Sequence, residues 1–325
     1  MAFMGLGMTQ NSLFTSNSKF ILYLKRIISI LFILGTSGLL FYGYCITANN
    51  QRVFDYFYNY TKECQDIDVL VVGSSHAYCS IIPDVLQDEY GYSSYVLGSG
   101  RLSTWYGYYY LVEALKYAKP KLVVFDCYTS VYEPEAFPVD KYPMMNLVGM
   151  RPSINKMNAV RSWEPDDPVD IFLNFPIMHT RYDEIDEDSF SHHGENRGFE
   201  GKEGVKPCDM TVIEGTITIT DTEEIFDRSE WAIRSAINLC KDNNIEIVLI
   251  NATTPSNTDH QSRYNYVSEI ASEYEVPFLN GNLNYKEIGI DGKSDFADAG
   301  HLNVSGAQKY TIWLGKYVKE HGLVH

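Results

Sequence analysis

Positively charged residues are scarce in this chain of 325 residues. Lys and Arg together number 26 against 42 Asp and Glu, which gives a net charge of −16. A surface of this sign repels phosphate backbones, so we exclude nucleic acid as a partner. The length fits one or two domains with a sizeable core.

Cysteine patterns typical of metal and redox sites are also missing. None of the six cysteines forms a Cys-x-x-Cys pair or lies near histidine at a metal-ligand spacing. We therefore predict no metal and no cofactor. Disulfides are permitted by the even number but not needed in a domain of this size. We interpret most of the six as small buried apolar residues: Cys45, Cys64, Cys79, Cys127, Cys208 and Cys240.

Long hydrophobic runs are absent except at residues 27–48. This run holds 22 residues without a charge, enough to cross a hydrocarbon core of about 30 Å. A cleaved signal peptide is the alternative. The run is long for such a peptide and no Ala-x-Ala site follows it, which favours an uncleaved single-pass anchor.

The flanking charges predict the orientation of this anchor. Lys19, Lys25 and Arg26 precede the run, and Arg52 is the only positive charge close behind it. The positive-inside rule then places residues 1–26 in the cytoplasm, 27–48 in the membrane and 49–325 outside the cytoplasm.

The remainder predicts an α/β fold. Short apolar runs alternate with helical patterns, which is typical of a parallel sheet covered by helices on both faces. Ligands of such sheets bind at the carboxyl ends of the strands. The predicted strands are 68–72, 94–97, 121–125, 246–250 and 276–279, and the predicted helices are 81–91, 106–119, 223–244, 262–275 and 306–322.

One long segment, about 130–222, interrupts the alternation. It contains eight prolines and mixed charges, and it is too long for a plain connection between a strand and a helix. We interpret it as an insertion over the carboxyl edge of the sheet, where it would form a lid or a substrate groove.

Two hydroxyls follow directly on the first predicted strand, in the sequence Gly73-Ser74-Ser75-His76. A serine after a strand can be exposed at a sharp turn, and Gly73 would relieve the turn sterically. A serine nucleophile needs a base, and the base needs an orienting group. On its own, this sequence is equally that of an ordinary polar loop.

The second half of such a site lies near the C-terminus. Asp298 and His301 stand three apart before the last predicted helix, which Ser305 and Gln308 are expected to start as a capping box. Asp298 can orient His301 through one ring nitrogen while the other faces the serine. Asp295 is the alternative orienting acid.

This order of motifs resembles the SGNH/GDSL hydrolase superfamily. Gly73-Ser74-Ser75 is similar to its first block, Gly-Asp-Ser, with Ser74 in the place of the acid, and Asp298-x-x-His301 is similar to its last. The resemblance implies an SGNH-type three-layer, flavodoxin-like domain preceded by one transmembrane helix. It implies Ser75 as nucleophile, His301 as base and Asp298 as orienting acid.

The oxyanion hole departs from the pattern of the superfamily. "GSGRLST" at 98–104 is similar to the second block and implies the Gly100 N–H as a donor beside the Ser75 N–H, with Gly98 the alternative. The third block, whose Asn side chain donates, is missing, because Cys127 and Tyr128 follow the third predicted strand without an Asn.

The departures and the anchor resemble the membrane-anchored branch that includes DltD and alginate O-acetyltransferase-like proteins. In the insertion, His179 and Arg181 are similar to a His-x-Arg element of that branch and would bind an anionic or carbonyl-bearing group. A structural ion pair is the alternative for these two residues.

The resemblance implies a membrane-anchored serine esterase or O-acyltransferase acting on a cell-surface glycan or related polymer. A membrane acyl-donor protein is a possible further partner. The alternative is a non-catalytic SGNH-fold protein that binds polymer or scaffolds an envelope complex; the missing third block favours this alternative, and the Ser75, His301 and Asp298 set favours catalysis.

Overall fold

The structure is a computed structural model that describes residues 11–47, 57, 59–62, 66–137, 142–163, 168–174, 195–256 and 258–325. Its strands are β1 (Val69–Gly73), β2 (Ser94–Gly98), β3 (Leu122–Asp126), β4 (Glu246–Asn251) and β5 (Phe278–Asn280). Its helices include α1 (Asn11–Thr47), α2 (Ser75–Tyr78), α3 (Pro83–Tyr90), α4 (Thr104–Ala114), α5 (Tyr142–Leu147), α6 (Ile154–Arg161), α7 (Pro168–Leu173), α8 (Thr211–Thr216), α9 (Asp227–Asp242), α10 (Gln261–Glu273), α11 (Tyr285–Ile288) and α12 (Val304–Glu320).

The five strands form one parallel sheet in the order β2-β1-β3-β4-β5. This is the flavodoxin-like order of doubly wound sheets. The predicted α/β fold is therefore confirmed, and each predicted strand and helix overlaps an observed one. Because every residue of β1, β2 and β3 is buried, these strands appear in the sequence as continuous apolar runs.

Helices cover the sheet on both faces, and alternate residues of each strand face opposite layers. Leu70 and Val72 of β1 belong to the core under α4, α9 and α10. Val69 and Val71 belong to the other core, which α3, α11 and α12 cover. The fold is a three-layer sandwich in which the carboxyl ends of all five strands lie at the same edge of the sheet.

The connection from β3 to β4 contains the predicted insertion. Its described parts hold α5 to α8 and three 3₁₀ helices, Tyr128–Val131, Pro134–Ala136 and Glu195–Gly198. Helix α6 is joined to α4, because Asn155 donates from Nδ2 to the Tyr109 carbonyl at 2.9 Å and to the Glu113 carboxylate at 3.0 Å. Helix α6 is thus attached to the layer that covers Leu70 and Val72, whereas Ile213 of α8 belongs to the core on the other face.

Helix α1 contains one segment, Ser18–Phe41, that is long and apolar enough to cross a membrane. Its side chains pack on almost nothing else in the protein. This segment begins earlier than the uncharged run 27–48 from which the span was predicted, and it includes Lys19, Lys25 and Arg26.

The last helix begins differently from the prediction. Asn303, and not Ser305, caps α12, because the Asn303 Oδ1 accepts from the Gly306 N–H at 3.1 Å. Ser305 already lies in the first turn and its hydroxyl donates to Asp295 at 3.0 Å. The capping-box prediction with Gln308 was therefore wrong.

Helix α12 packs on α3 through a glycine. A Cβ added to Gly315 would lie 2.3 Å from the ring of Tyr90, whose hydroxyl donates to the Ile312 carbonyl at 2.7 Å. We predict that Gly315→Ala displaces this ring and lowers the free energy of unfolding by about 1–3 kcal/mol. Urea denaturation of the full-length protein in detergent measures it.

Gly215 in α8 is the matched control, because no atom lies within 4 Å of its added Cβ. Gly215→Ala should leave stability unchanged or raise it by up to about 1 kcal/mol, since alanine is the better helix former. Equal effects of the two changes would contradict the described packing of α12 on α3.

Candidate active site

The turn after β1 is held by a buried carboxylate of β3. Asp126 Oδ2 accepts from the Ser74 N–H at 2.9 Å and from the Ser74 hydroxyl at 2.7 Å. Its Oδ1 accepts from the Tyr128 N–H at 2.9 Å. Burial raises the pKa of Asp126, and these hydrogen bonds oppose the rise. Asp126 therefore joins the ends of two neighbouring strands and does not line the pocket.

Gly73 is needed because neighbouring side chains come close to its Cα, and not because the turn requires a left-handed backbone. Its φ is not in the left-handed region, but an added Cβ would lie 2.3 Å from the Asp126 Cβ and 2.8 Å from the Ala77 Cβ. The glycine is thus needed for close approach between β1, β3 and α2. The expected reason, steric relief of a sharp turn, was wrong.

Ser75 is the first residue of α2, and the Ser74 hydroxyl caps that helix by accepting from the His76 N–H. The Ser75 Oγ lies 2.8 Å from the His301 Nε2, across 226 positions of sequence. This contact brings the serine of the first motif together with the histidine of the last.

Asp298 holds His301 from the other side. Its Oδ1 lies 2.9 Å from the His301 Nδ1 and accepts from the backbone N–H groups of Gly300 and His301 at 2.8 and 2.9 Å. With Nδ1 on the carboxylate, Nε2 is left for the Ser75 hydroxyl. A hydroxyl, an imidazole and a carboxylate in this order can perform nucleophilic catalysis.

Lys202 is a second partner of the same carboxylate. Its Nζ lies 2.7 Å from the Asp298 Oδ2. Partial burial acts to raise the pKa of Asp298, but hydrogen bonds from Lys202, the Gly300 N–H and His301 outweigh it and hold the pKa below its usual range. Asp298 is therefore ionised at neutral pH.

The sequence did not reveal Lys202, because it lies in an irregular segment without periodicity. That segment is attached to the site by backbone hydrogen bonds. The Glu200 N–H donates to the Tyr78 carbonyl at 2.9 Å, and the Val304 N–H donates to the Lys202 carbonyl at 3.2 Å. These contacts help to bring the lysine to Asp298.

Asp295, the alternative orienting acid, has other partners. Its fully buried carboxylate lies 2.5 Å from the Lys309 Nζ and accepts from the Ser294 and Ser305 hydroxyls and the Asp291 N–H. No contact joins it to His301. Between the two candidates, the structure places Asp298 at the imidazole.

His76 lies next to the imidazole of His301. Because it directly follows Ser75 in the sequence, its side chain would be expected to point elsewhere, but its ring is buried between two rings of the site. Its centroid lies 3.3 Å from that of Tyr128 and 4.7 Å from that of His301, both nearly parallel. Burial lowers the pKa of His76 well below its usual value, and electrostatic interactions with His301 and Lys202 act in the same direction.

A pocket of about 350 Å³ opens in front of Ser75 and His301. Apart from these two and their neighbours His76, Asp298, Ala299 and Gly300, it is lined by Arg101, Tyr128, Thr129, Tyr132, Ala136, Phe137 and Ser256. Five of these come from the beginning of the β3–β4 connection. Among the described residues, no group of three or more His, Cys, Asp or Glu side chains is placed to hold a metal ion.

The glycines predicted for the oxyanion hole lie at the carboxyl end of β2. Gly98 is paired with Gly73 within the sheet, and a Cβ on it would lie 2.7 Å from the Gly73 carbonyl oxygen. Gly100 follows and directly precedes Arg101 of the pocket. The role of Gly100 as a donor stays a prediction. His179 and Arg181 lie outside the described residues, and their substrate-binding role also stays a prediction.

No family model and no curated protein matches the sequence. Two solved structures are similar in fold. One, from Desulfitobacterium hafniense, is described as a lipolytic protein of the G-D-S-L family; the TM-score is 0.39 at 9% identity, over 77% of this chain and 99% of the other. The second, from Bacteroides fragilis, is described as an acylhydrolase; the TM-score is 0.41 at 13% identity, over 84% and 97%. At these values neither likeness assigns a family or an activity to this chain.

The buried His76 predicts a loss of stability in acid. Its pKa is lowered in the folded protein, so below its ordinary value of about 6.5 the unfolded chain binds a proton that the folded one does not. The contribution of the neutral His76 ring to the free energy of unfolding is therefore present at pH 7.5 and lost as the pH falls. Between pH 7.5 and 5.5 this proton lowers the free energy of unfolding by up to about 1.4 kcal/mol.

Comparison with His76→Phe isolates this proton, because phenylalanine keeps a ring between Tyr128 and His301 but cannot titrate. Urea unfolding at both pH values should show a smaller loss for the variant than for the wild type. The same loss in both would mean that His76 is protonated in the folded protein, contrary to its burial.

Proposed function

We propose that the protein is a serine esterase or O-acyltransferase of the SGNH type. The observation that carries the proposal is the 2.8 Å contact between the Ser75 Oγ and the His301 Nε2, with Asp298 on the opposite ring nitrogen. The resemblance of both motifs to the SGNH/GDSL superfamily supports the same reaction.

In this reaction the Ser75 Oγ attacks the carbonyl carbon of an ester while its proton passes to the His301 Nε2. The tetrahedral intermediate collapses, the alcohol leaves with the proton from His301, and an acyl group remains on Ser75. Water or a sugar hydroxyl then attacks the acyl-enzyme with His301 again as base. Water releases the acid, whereas the sugar hydroxyl gives a new ester. Asp298 stabilises the imidazolium in both steps.

We assign the oxyanion donors to the N–H groups of Ser75 and Gly100. The Asn of the third superfamily block has no counterpart after β3, where Cys127 and Tyr128 follow. Loss of one such donor costs about 3 kcal/mol of transition-state stabilisation. This absence supports the second candidate, a non-catalytic polymer-binding or scaffolding protein of the envelope.

We further propose that α1 anchors the protein in the cell membrane, with the catalytic domain outside the cytoplasm and an acylated surface glycan as substrate. The apolar segment Ser18–Phe41 and the basic residues at its N-terminal side support this orientation. The substrate class follows from the resemblance to DltD and alginate O-acetyltransferase-like proteins. In this proposal His179 and Arg181 bind the polymer.

Covalent labelling distinguishes the two candidate functions. A fluorophosphonate reacts only with an activated serine, so the wild type should be labelled and Ser75→Ala should not. Ser75→Ala should also lower the turnover of an aryl acetate more than about 10³-fold, and His301→Ala should be nearly as damaging.

Ser74→Ala is the matched control. It removes a hydroxyl that caps α2 and donates to Asp126, so we expect a loss of about 1–2 kcal/mol of stability with labelling retained. An unlabelled wild type would support the binding protein, and an unlabelled Ser74→Ala with a labelled Ser75→Ala would make Ser74 the nucleophile.

The orientation is tested by reporter fusions after His325. Alkaline phosphatase folds only outside the cytoplasm, so this fusion should be active in cells and a cytoplasmic reporter at the same position inactive. The reverse result would place the catalytic domain in the cytoplasm. Release of an active fusion that lacks α1 would favour a cleaved signal peptide.

A further inference from the structure

The fixed charges of the pocket do not cancel. Asp298 is paired with both His301 and Lys202. His76 is buried and its pKa is well below the usual value, so its ring is neutral. Arg101 is exposed to the pocket, and among the described residues no carboxylate pairs with it. The pocket therefore contains one guanidinium whose charge is not neutralised.

This guanidinium is mounted on a restrained loop. Arg101 has a φ of 47°. This left-handed conformation is unfavourable for residues other than glycine and, to a lesser degree, asparagine. The loop is joined to α5, because Ser99 donates its hydroxyl to the Asn146 Oδ1 at 2.6 Å and Asn146 reaches the Arg101 carbonyl at 3.5 Å. The guanidinium carbon lies 5.8 Å from the centroid of the Tyr142 ring.

The remainder of the protein would repel an anion. With a net charge of −16, the long-range field is unfavourable to negatively charged ligands. Arg101 opposes this field at the one place where the ester would bind. A guanidinium presents a planar fork of donors that matches the oxygens of a carboxylate or a phosphate.

One wall of the pocket, formed by Tyr128, Tyr132 and Phe137, is aromatic. A chain of hydroxyls runs along this wall, with the Tyr128 OH 2.8 Å from the Tyr132 OH and 3.0 Å from the Ser256 Oγ. An aromatic or sugar ring could lie on this wall while an attached anionic group reaches Arg101.

We infer that Arg101 selects esters of ring-bearing alcohols that carry an anionic group, a carboxylate or a phosphate, beside the acyl group that Ser75 attacks. This inference rests on the proposed function, because it names the substrate class of the same pocket. It does not depend on the polymer or on the insertion residues outside the described part of the chain.

Matched aryl acetates test the inference in the full-length protein. 4-Acetoxybenzoate and 4-acetoxyphenyl phosphate carry the anion, and the methyl ester of 4-acetoxybenzoate does not. Arg101→Gln should lower the ratio of kcat/KM for anionic over neutral ester about tenfold, mainly through KM, and Arg101→Lys should restore part of it. The two anionic esters distinguish a carboxylate from a phosphate preference.

Arg151→Gln is the control for net charge. Arg151 lies outside the pocket, with its guanidinium carbon 5.9 Å from the centroid of the Tyr117 ring, and its loss changes the total charge by the same amount. The ratio should stay at the wild-type value in this variant. A fall of the ratio in both variants would mean a long-range field effect and would overturn the inference, as would an unchanged ratio in Arg101→Gln.

A binding measurement distinguishes failure of this inference from failure of the proposed function. In the Ser75→Ala background, calorimetric titration with 4-acetoxybenzoate should give a Kd that rises about tenfold when Arg101→Gln is added. This result would support the anion site even if the wild type hydrolysed none of the esters. Equal Kd values, or no preference for the acid over its methyl ester, would overturn the inference while labelling of Ser75 still stood.

Discussion

The buried carboxylate of Asp126 accepts three hydrogen bonds from the turns that follow β1 and β3. Two come from Ser74 and hold the turn before Ser75, and one comes from Tyr128 and holds the ring that stacks on His76. Because a buried charge without partners is costly, these turns cannot change independently. The position of Ser75 and one wall of the pocket therefore depend on the same carboxylate.

The loop between β5 and α12 supplies the other half of the site, and an ionic contact connects it to the β3–β4 connection. Asp298 is shared between His301 and Lys202. The backbone around Lys202 forms hydrogen bonds to Tyr78, close to Ser75, and to Val304 at the start of α12. The orientation of the His301 imidazole is thus coupled to the segment around Lys202, which is far away in sequence. This segment belongs to the β3–β4 connection, and the first part of that connection lines the pocket.

The His301 imidazole has a neutral ring on one side and a charged carboxylate on another. His76 is held neutral by burial against the face of the His301 ring. Asp298 is held ionised beside the His301 Nδ1. A protonated His301 would thus meet a carboxylate at its edge and an uncharged ring on its face. Arg101 lines the same pocket, and no carboxylate among the described residues pairs with it. We infer from this that the pocket favours anionic ligands in a protein that is otherwise strongly acidic.

Local patterns in the sequence were sufficient for the architecture. Runs such as Leu70–Val72 are apolar throughout because both faces of the sheet are covered, and this predicted the strands and the edge at which ligands bind. The motifs also identified the residues that meet there, since Ser75 and His301 follow structural elements whose ends lie at that edge. The sequence alone thus determined the layers of the fold and the chemical groups of the candidate site.

Contacts between distant segments were decided only by the tertiary structure. The sequence favoured Asp298 but left Asp295 as the alternative, and the contacts with Lys309 and His301 decide between them. Asn303 caps α12 because the Ser305 hydroxyl is directed to Asp295. The stacking of His76, the approach of Lys202 and the place of Arg101 in the pocket leave no local pattern. Each depends on how loops pack across the sheet edge, and neither periodicity nor spacing encodes that packing.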